Sequence, residues 1–216
     1  MTRSPDLTID FFHDVVCCWC FNISSRMRQL ASEFNIDIRH RTFVLQASTA
    51  EMQTRWGAAE AARDTILGHW ASCRAVSDQP ELIDIDSMAR TEFDYPHGYT
   101  AALACKAAET LGGQGAHWTL FDRIQRAHLS EARDIADSAE LARLAQDVGL
   151  EPGRFALAMS DFATRKAVEA DRQRARTLQV RSIPALVVRE TGTRLVNGPI
   201  DDLRAQIRAA IHLNPN

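Results

Sequence analysis

Lysine is almost missing from this 216-residue chain: Lys106 and Lys166 are the only two among 25 basic residues. No excess of positive charge makes up for it, because 28 acidic residues leave a net charge of −3. With no clustered basic patch, neither nucleic acid nor a membrane surface is an expected partner. We read the arginine bias as codon usage rather than function. No apolar run approaches the ~20 residues that cross a bilayer. The opening "MTRSPDLTIDFF" has neither an apolar leader core nor a small-residue cleavage site, so the expected location is the cytoplasm. Internal repeats and low-complexity tracts are lacking too. Cysteine is scarce and odd in number, at five. A disulfide framework pairs its thiols, and a reducing compartment would not keep one, so these cysteines point to catalysis or metal binding.

What is present is concentrated. Three of the five cysteines fall within "DVVCCWCFN", at Cys17, Cys18 and Cys20. Before them, "LTIDFFHD" (7–14) is a β-branched and aromatic run that predicts a buried strand. After them, Ile23, Met27, Leu30 and Phe34 recur at helical spacing, which predicts a helix over Cys20 to Phe34. "IDIRHRTFVL" (36–45) alternates and predicts a second strand, parallel to the first. More than a hundred residues of helical pattern follow, punctuated by glycines, with Ser138 as a helix cap and Gly149 as a stop. Strand signal returns at "SIPALVV" and "RLVNG", which predict a hairpin turning at Gly192. "IDDLRAQIRAAIHL" predicts a last helix. The order βαβ, helices, ββα fits an α/β domain interrupted by a helical lobe. The expected divisions are 1–47, 48–160 and 161–216.

A C-x-x-C pair alone also occurs in zinc sites. Here it follows a predicted strand and opens a predicted helix, where unpaired N–H groups and the helix dipole favour an anion such as a thiolate. Cys17 then has the place of an attacking thiol and Cys20, one turn on, that of a resolving thiol. The rival reading adds His13 to the three clustered thiols as a fourth metal ligand. Cys73 and Cys105 lie on separate helical segments and supply no second pair, so no metal is expected. Pro184 opens a predicted strand, either as a plain edge-strand start or as a cis-proline.

"DFFHDVVCCWCFN", the long helical insertion, "VRSIPALVV" and "LVNGPIDDL" together resemble the DsbA family of thiol–disulfide oxidoreductases. "ARDIADSAELARLAQDV" followed by "GLEPGRFALAM" is similar to the helical lobe of its cytoplasmic FrnE-like branch. The resemblance spans roughly residues 7–212. It implies a thioredoxin-like fold with an all-helical insertion, Cys17 as nucleophile, Cys20 as resolving thiol and Pro184 as cis-proline. It further implies that Ile183 presents its backbone to an extended substrate beside the cysteines. The chain departs from the branch at one position: Trp19 is kept, but Cys18 stands where proline usually follows the first cysteine. The two residues between the thiols tune the redox poise, so this replacement bears on the chemistry.

Several residues carry more than one reading. Trp19 packs against substrate or into the core. Cys18 is a regulatory thiol, an alternative disulfide partner, a metal ligand or an inert substitution. His13 is a thiolate-stabilising cation or, through strand alternation, a residue turned away. Asp14 is a proton acceptor for the buried thiol or, by preference, a solvated strand-end residue. Cys105 is expected as a buried free thiol, while Cys73 faces the site or solvent. Met52, Trp56, Trp70, Phe121 and Phe155 are expected in the lobe core, or lining an apolar groove if they lie near the cysteines.

The expected activity is dithiol–disulfide exchange with protein or low-molecular-weight thiols and disulfides. No organic cofactor is expected, because the dithiol carries the electrons; glutathione is a candidate co-substrate. A glutathione-dependent isomerase or transferase of the same fold is one rival, and a non-enzymatic adaptor protein is the other. A homodimer is left open.

Overall fold

The computed structural model describes residues 4–214. Strand β1 (Leu7–His13) is the middle of the molecule and is buried along nearly its whole length. Its parallel neighbour is β2 (Ile36–Thr42), in register from Leu7 opposite Ile36 to His13 opposite Thr42. Helix α1 (Cys18–Glu33) joins the two. On its other side β1 pairs antiparallel with β3 (Ala185–Val188), and β3 with β4 (Arg194–Leu195), giving the sheet order β2-β1-β3-β4. The predicted hairpin is present, and Gly192 in its turn has φ 71°, which glycine adopts without a Cβ clash.

Between β2 and β3 the described residues form helices and loops without a further strand. In order these are α2 (Thr49–Trp56), α3 (Ala59–Arg74), α4 (Ile85–Ala89), α5 (Tyr99–Leu129), α6 (Ser138–Asp147), α7 (Pro152–Ser160) and α8 (Phe162–Thr177). Helix α9 (Ile200–Leu213) follows the sheet. The architecture is the expected α/β one, thioredoxin-like with an intervening helical segment.

Strand alternation sorts the two sheet faces. Leu7, Ile9 and Phe11 of β1 share one core with Ile23, Met27 and Leu30 of α1 and with Leu203 and Ile207 of α9. Each such fully buried side chain contributes ~1.5–3 kcal/mol. The opposite face carries Phe12, which packs with Ala175, Val180 and Val187.

Local details differ from expectation for identifiable reasons. Helix α1 starts at Cys18 rather than Cys20, which makes Cys17 its N-cap. Strand β2 stops at Thr42, because Val44 has φ 61° and leaves the extended region. The helical pattern around Trp56 divides into two helices, α2 and α3, broken at Gly57 with φ 86°. Gly112 and Gly113 depart from helical φ/ψ without ending α5, which runs on through them. The cap of α6 is Asp137, whose carboxylate accepts from Ala139 N–H; Ser138 is already helical.

Candidate active site

β1 delivers the chain to a short loop, and α1 starts directly beyond it. Cys17 Sγ accepts the Cys20 backbone N–H at 3.2 Å, one of the N–H groups that a helix N-terminus leaves without an intrahelical partner. The loop is held from below. Gln125 of α5 donates to the carbonyls of Val15 at 3.3 Å and Cys17 at 3.0 Å. Sequence reasoning did not single out Gln125; the available signal was a polar residue on the apolar side of a helix.

All five cysteines are free thiols and all are buried, Cys17 the least so at 7% exposure. Cys20 lies behind Cys17 with a thiol–thiol hydrogen bond between them. Burial first, then that bond, pushes the Cys20 thiol well above its usual range, so it is held protonated.

Asp14 is not a solvated strand-end residue. It is 3% exposed, its carboxylate accepts Leu45 N–H at 2.6 Å and Val16 N–H at 3.4 Å, and its backbone N–H reaches the Cys20 sulfur. Burial raises its pKa from 3.8 to about 6, against the lowering effect of those N–H donors. Gly98, at the start of α5, makes room for it: a Cβ there would stand 2.1 Å from Asp14 Oδ1.

His13 is turned away. Its Nε2 is 3.1 Å from His40 Nδ1 and its ring lies against His117 and Phe121. Burial, His117 and Lys106 all depress its pKa, so it is neutral and is not a cation beside the thiols. The metal reading that grouped His13 with three cysteines falls with it. Among the described residues, the cluster close enough to hold a metal is His13, His40 and His117, with no cysteine.

Cys18 has an unforeseen partner. Its thiol hydrogen-bonds Cys73 of α3, and that bond, ahead of burial, raises Cys18 and lowers Cys73. Asn22 Nδ2 also donates to Cys73 Sγ at 3.3 Å. Cys73 faces the site rather than solvent, and Cys105 is a buried free thiol within α5.

The Ile183–Pro184 peptide is cis, and Asn197 Nδ2 holds the Pro184 carbonyl at 2.6 Å. The fold brings this loop to the cysteines. A hollow of about 220 Å³ has Cys17, Trp19, Ile183, Leu45, Trp56 and Trp70 in its wall. Trp19, 39% exposed, and Ile183 also border a larger hollow of about 550 Å³ with Pro184, Asn22 and Arg26. Trp56 and Trp70 thus line an apolar groove, whereas Met52, Phe121 and Phe155 are core. Arg26 is fixed by Asp78 at 2.6 Å and by the Gly198 carbonyl at 2.8 Å.

A family model described as the DSBA-like thioredoxin domain matches residues 8–208. A curated relative, the ClpXP adapter protein SpxH of Shouchella clausii (strain KSM-K16), is 27% identical over 183 residues. That match covers 84% of this chain and 57% of the relative, so the chain spans little more than half of that protein's length. A solved structure of a putative protein disulfide isomerase from Nitrosomonas europaea superposes with TM-score 0.78 at 22% identity, covering 96% of this chain and 98% of that one. The cytosolic disulfide reductase DsbM from Pseudomonas aeruginosa gives TM-score 0.75 at 25% identity, covering 96% and 100%. The same reductase solved with GSH gives 0.75 at 24% identity, covering 95% and 100%.

Proposed function

The chain belongs to the family of DSBA-like thioredoxin domains, and on that premise we propose that it is a thiol–disulfide oxidoreductase working through Cys17 and Cys20. The observation that carries this reading is the shared wall of one hollow. Cys17, Trp19 and Ile183 line it together, and the Cys20 thiol waits directly behind Cys17.

The chemistry follows from that order. The Cys17 thiolate attacks one sulfur of a substrate disulfide, forming a mixed disulfide and releasing the other sulfur as a thiolate. Cys20 loses its proton and attacks Cys17 Sγ. A Cys17–Cys20 disulfide forms and the second substrate sulfur leaves; the substrate has gained two electrons and the protein has lost them. Asp14 is suited to accept the Cys20 proton: a carboxyl with a pKa of about 6 is mostly ionised at neutral pH. Trp19 and Ile183 supply apolar contact and backbone to the substrate, with Pro184 shaping the loop. No organic cofactor enters these steps.

The substrates we infer are disulfides of proteins or of low-molecular-weight thiols, with glutathione as a co-substrate. The fold match to a reductase solved with GSH supports the small-thiol side. The description of DsbM as cytosolic supports a cytoplasmic setting. No helix among the described residues is long and apolar enough to cross a membrane.

The test is reduction of a model disulfide by wild type and Cys17→Ser. We expect at least a ~10³-fold loss on removing the nucleophile, and accumulation of mixed disulfides in Cys20→Ser. Equal rates in wild type and Cys17→Ser would overturn the reading.

The match to a ClpXP adapter protein supports a second reading, in which the chain presents another protein and its thiols are incidental. Partner binding retained by a Cys17→Ser/Cys20→Ser protein, together with no exchange activity in wild type, would favour it.

A further inference from the structure

The thiol chemistry leaves one buried polar cluster without a task. His13 ends β1, His40 lies near the end of β2, and His117 sits in the second half of α5. None is more than 1% exposed. One ring nitrogen of each lies within 4.8 Å of the other two.

The rings pack against one another at centroid distances of 5.1, 5.3 and 5.0 Å, and their nitrogens also have the spacing of a ligand set. His13 Nε2 and His40 Nδ1 are 3.1 Å apart. Tetrahedral zinc with bonds of ~2.0–2.1 Å holds neighbouring donors roughly 3.3 Å apart, so this pair already spans one edge of such a site. His117 Nδ1 donates to Glu109 Oε2 at 2.8 Å. Burial pulls Glu109 up, but its bonds with His117 and Lys106 bring it down to about 2, so it is the accepting partner. That bond fixes the His117 tautomer and leaves the lone pair on Nε2. A carboxylate behind a histidine in this way is the usual support of a metal-bound imidazole.

His117 Nε2 is also buried without a hydrogen-bond partner, as are His13 Nδ1 and His40 Nε2. A buried polar group in that state costs ~1–3 kcal/mol, and a coordinated cation would relieve it at His117. Lys106, whose charge disfavours a cation beside the rings, is itself paired: it lies 2.7 Å from Glu109 and 2.9 Å from Asp171, which Arg41 shares. Arg28, the other cation near His40, is paired with Asp122.

We propose that His13, His40 and His117 form a binding site for one late first-row divalent cation, with Zn²⁺ the test case and water in the fourth position. Imidazole donors suit this class of ion and not the oxygen-seeking Ca²⁺ or Mg²⁺. The site links β1 and β2 to α5, so the bound ion ties the sheet to the helical segment. Burial keeps all three rings neutral at pH 7, so when the ion binds, the proton that His13 and His40 share moves by a tautomer shift to an outer ring nitrogen that has no partner now.

The experiment uses the full chain, stripped with EDTA and carrying Cys17→Ser and Cys20→Ser so that the working thiols do not compete. Zinc is titrated by calorimetry and counted by elemental analysis. We expect one zinc per chain and a higher thermal midpoint with zinc. Binding should be lost in His40→Gln and in His117→Gln, kept in the exposed control His212→Gln, and weakened ~10- to 100-fold in Glu109→Gln. No zinc uptake by folded protein, or full uptake by folded His117→Gln, overturns the proposal. Should both histidine variants unfold, Co²⁺ decides. A tetrahedral spectrum without a thiolate charge-transfer band supports the site; such a band assigns the ion to cysteine and overturns it.

Discussion

His13 and Asp14 are neighbours in the chain and belong to opposite kinds of chemistry. Asp14 faces the loop where two thiols sit under a half-open hollow. His13 faces a closed pocket of imidazoles, behind which runs a chain of ion pairs: Glu109, Lys106, Asp171, Arg41 and Asp10. In the proposed exchange chemistry the first region is the one that reacts. Its acid is raised, its buried thiol is held protonated, and its cover is one exposed tryptophan. The second is built to stay put, with each carboxylate answered by a cation. One turn of the backbone separates them, so burial alone does not make a group reactive. What differs is whether the buried charge has a countercharge.

Removing a countercharge should therefore have the largest effect, and in the second region. Asp10 is fully buried and accepts from Arg41, Arg174 and Arg189 at 2.9, 2.6 and 2.8 Å. Asp10→Ala should cost ~2–4 kcal/mol in urea unfolding at pH 7, less than a fully enclosed pair because the arginines are partly solvated. Burial pulls the Asp10 pKa up, but the arginines outweigh it and leave it lowered. Its contribution is thus present above the unfolded carboxylate range and lost as the pH falls through the folded pKa. The gap between mutant and wild type should close in acid; a gap independent of pH would break the comparison.

In the first region the sign reverses. Asp14 is raised from 3.8 to about 6, so folding favours its protonated form, and the fold loses stability as the pH rises through that window. Asp14→Asn keeps an acceptor for Leu45 but not the bond to Val16. It should gain ~1–2 kcal/mol over wild type at pH 7.5, with the gain gone below about pH 4. Resolution of the mixed disulfide should slow at the same time if Asp14 takes the Cys20 proton. Urea midpoints at the two pH values and single-turnover kinetics check both parts. A loss of stability at pH 7.5 would place Asp14 with the structural carboxylates.

The smallest effect is expected at Cys18. As the first helical residue it occupies a position where proline is well accommodated. Cys18→Pro should shift stability by no more than ~1 kcal/mol. It removes the hydrogen bond that lowers Cys73, so the Cys73 thiol should rise. The pH dependence of Cys73 alkylation reads this directly; an unchanged profile would mean that Cys73 does not depend on Cys18.

Much of this was legible in the residues. The strand–cysteine–helix order, the long helical segment, the return to a hairpin at Gly192 and the proline before β3 are all carried by local patterns of apolar spacing and turn residues. The partnerships were not. Nothing near Cys18 names Cys73, which comes from α3. Asp14 reads as a strand-end acid until Gly98 and Leu45 close over it. His40 and His117 drew no notice, because a single histidine on an apolar face has no local signature.

The sequence by itself determined the elements and their order, because helix, strand and turn preferences act over a few residues. It also set Cys17 at a helix start, where local geometry aims an N–H at its sulfur. Only the tertiary structure decided which thiol is buried behind which, which acid lost its water, and which three histidines meet. Those outcomes depend on desolvation and on contacts between segments as much as 104 residues apart, as between His13 and His117, and no local pattern encodes either.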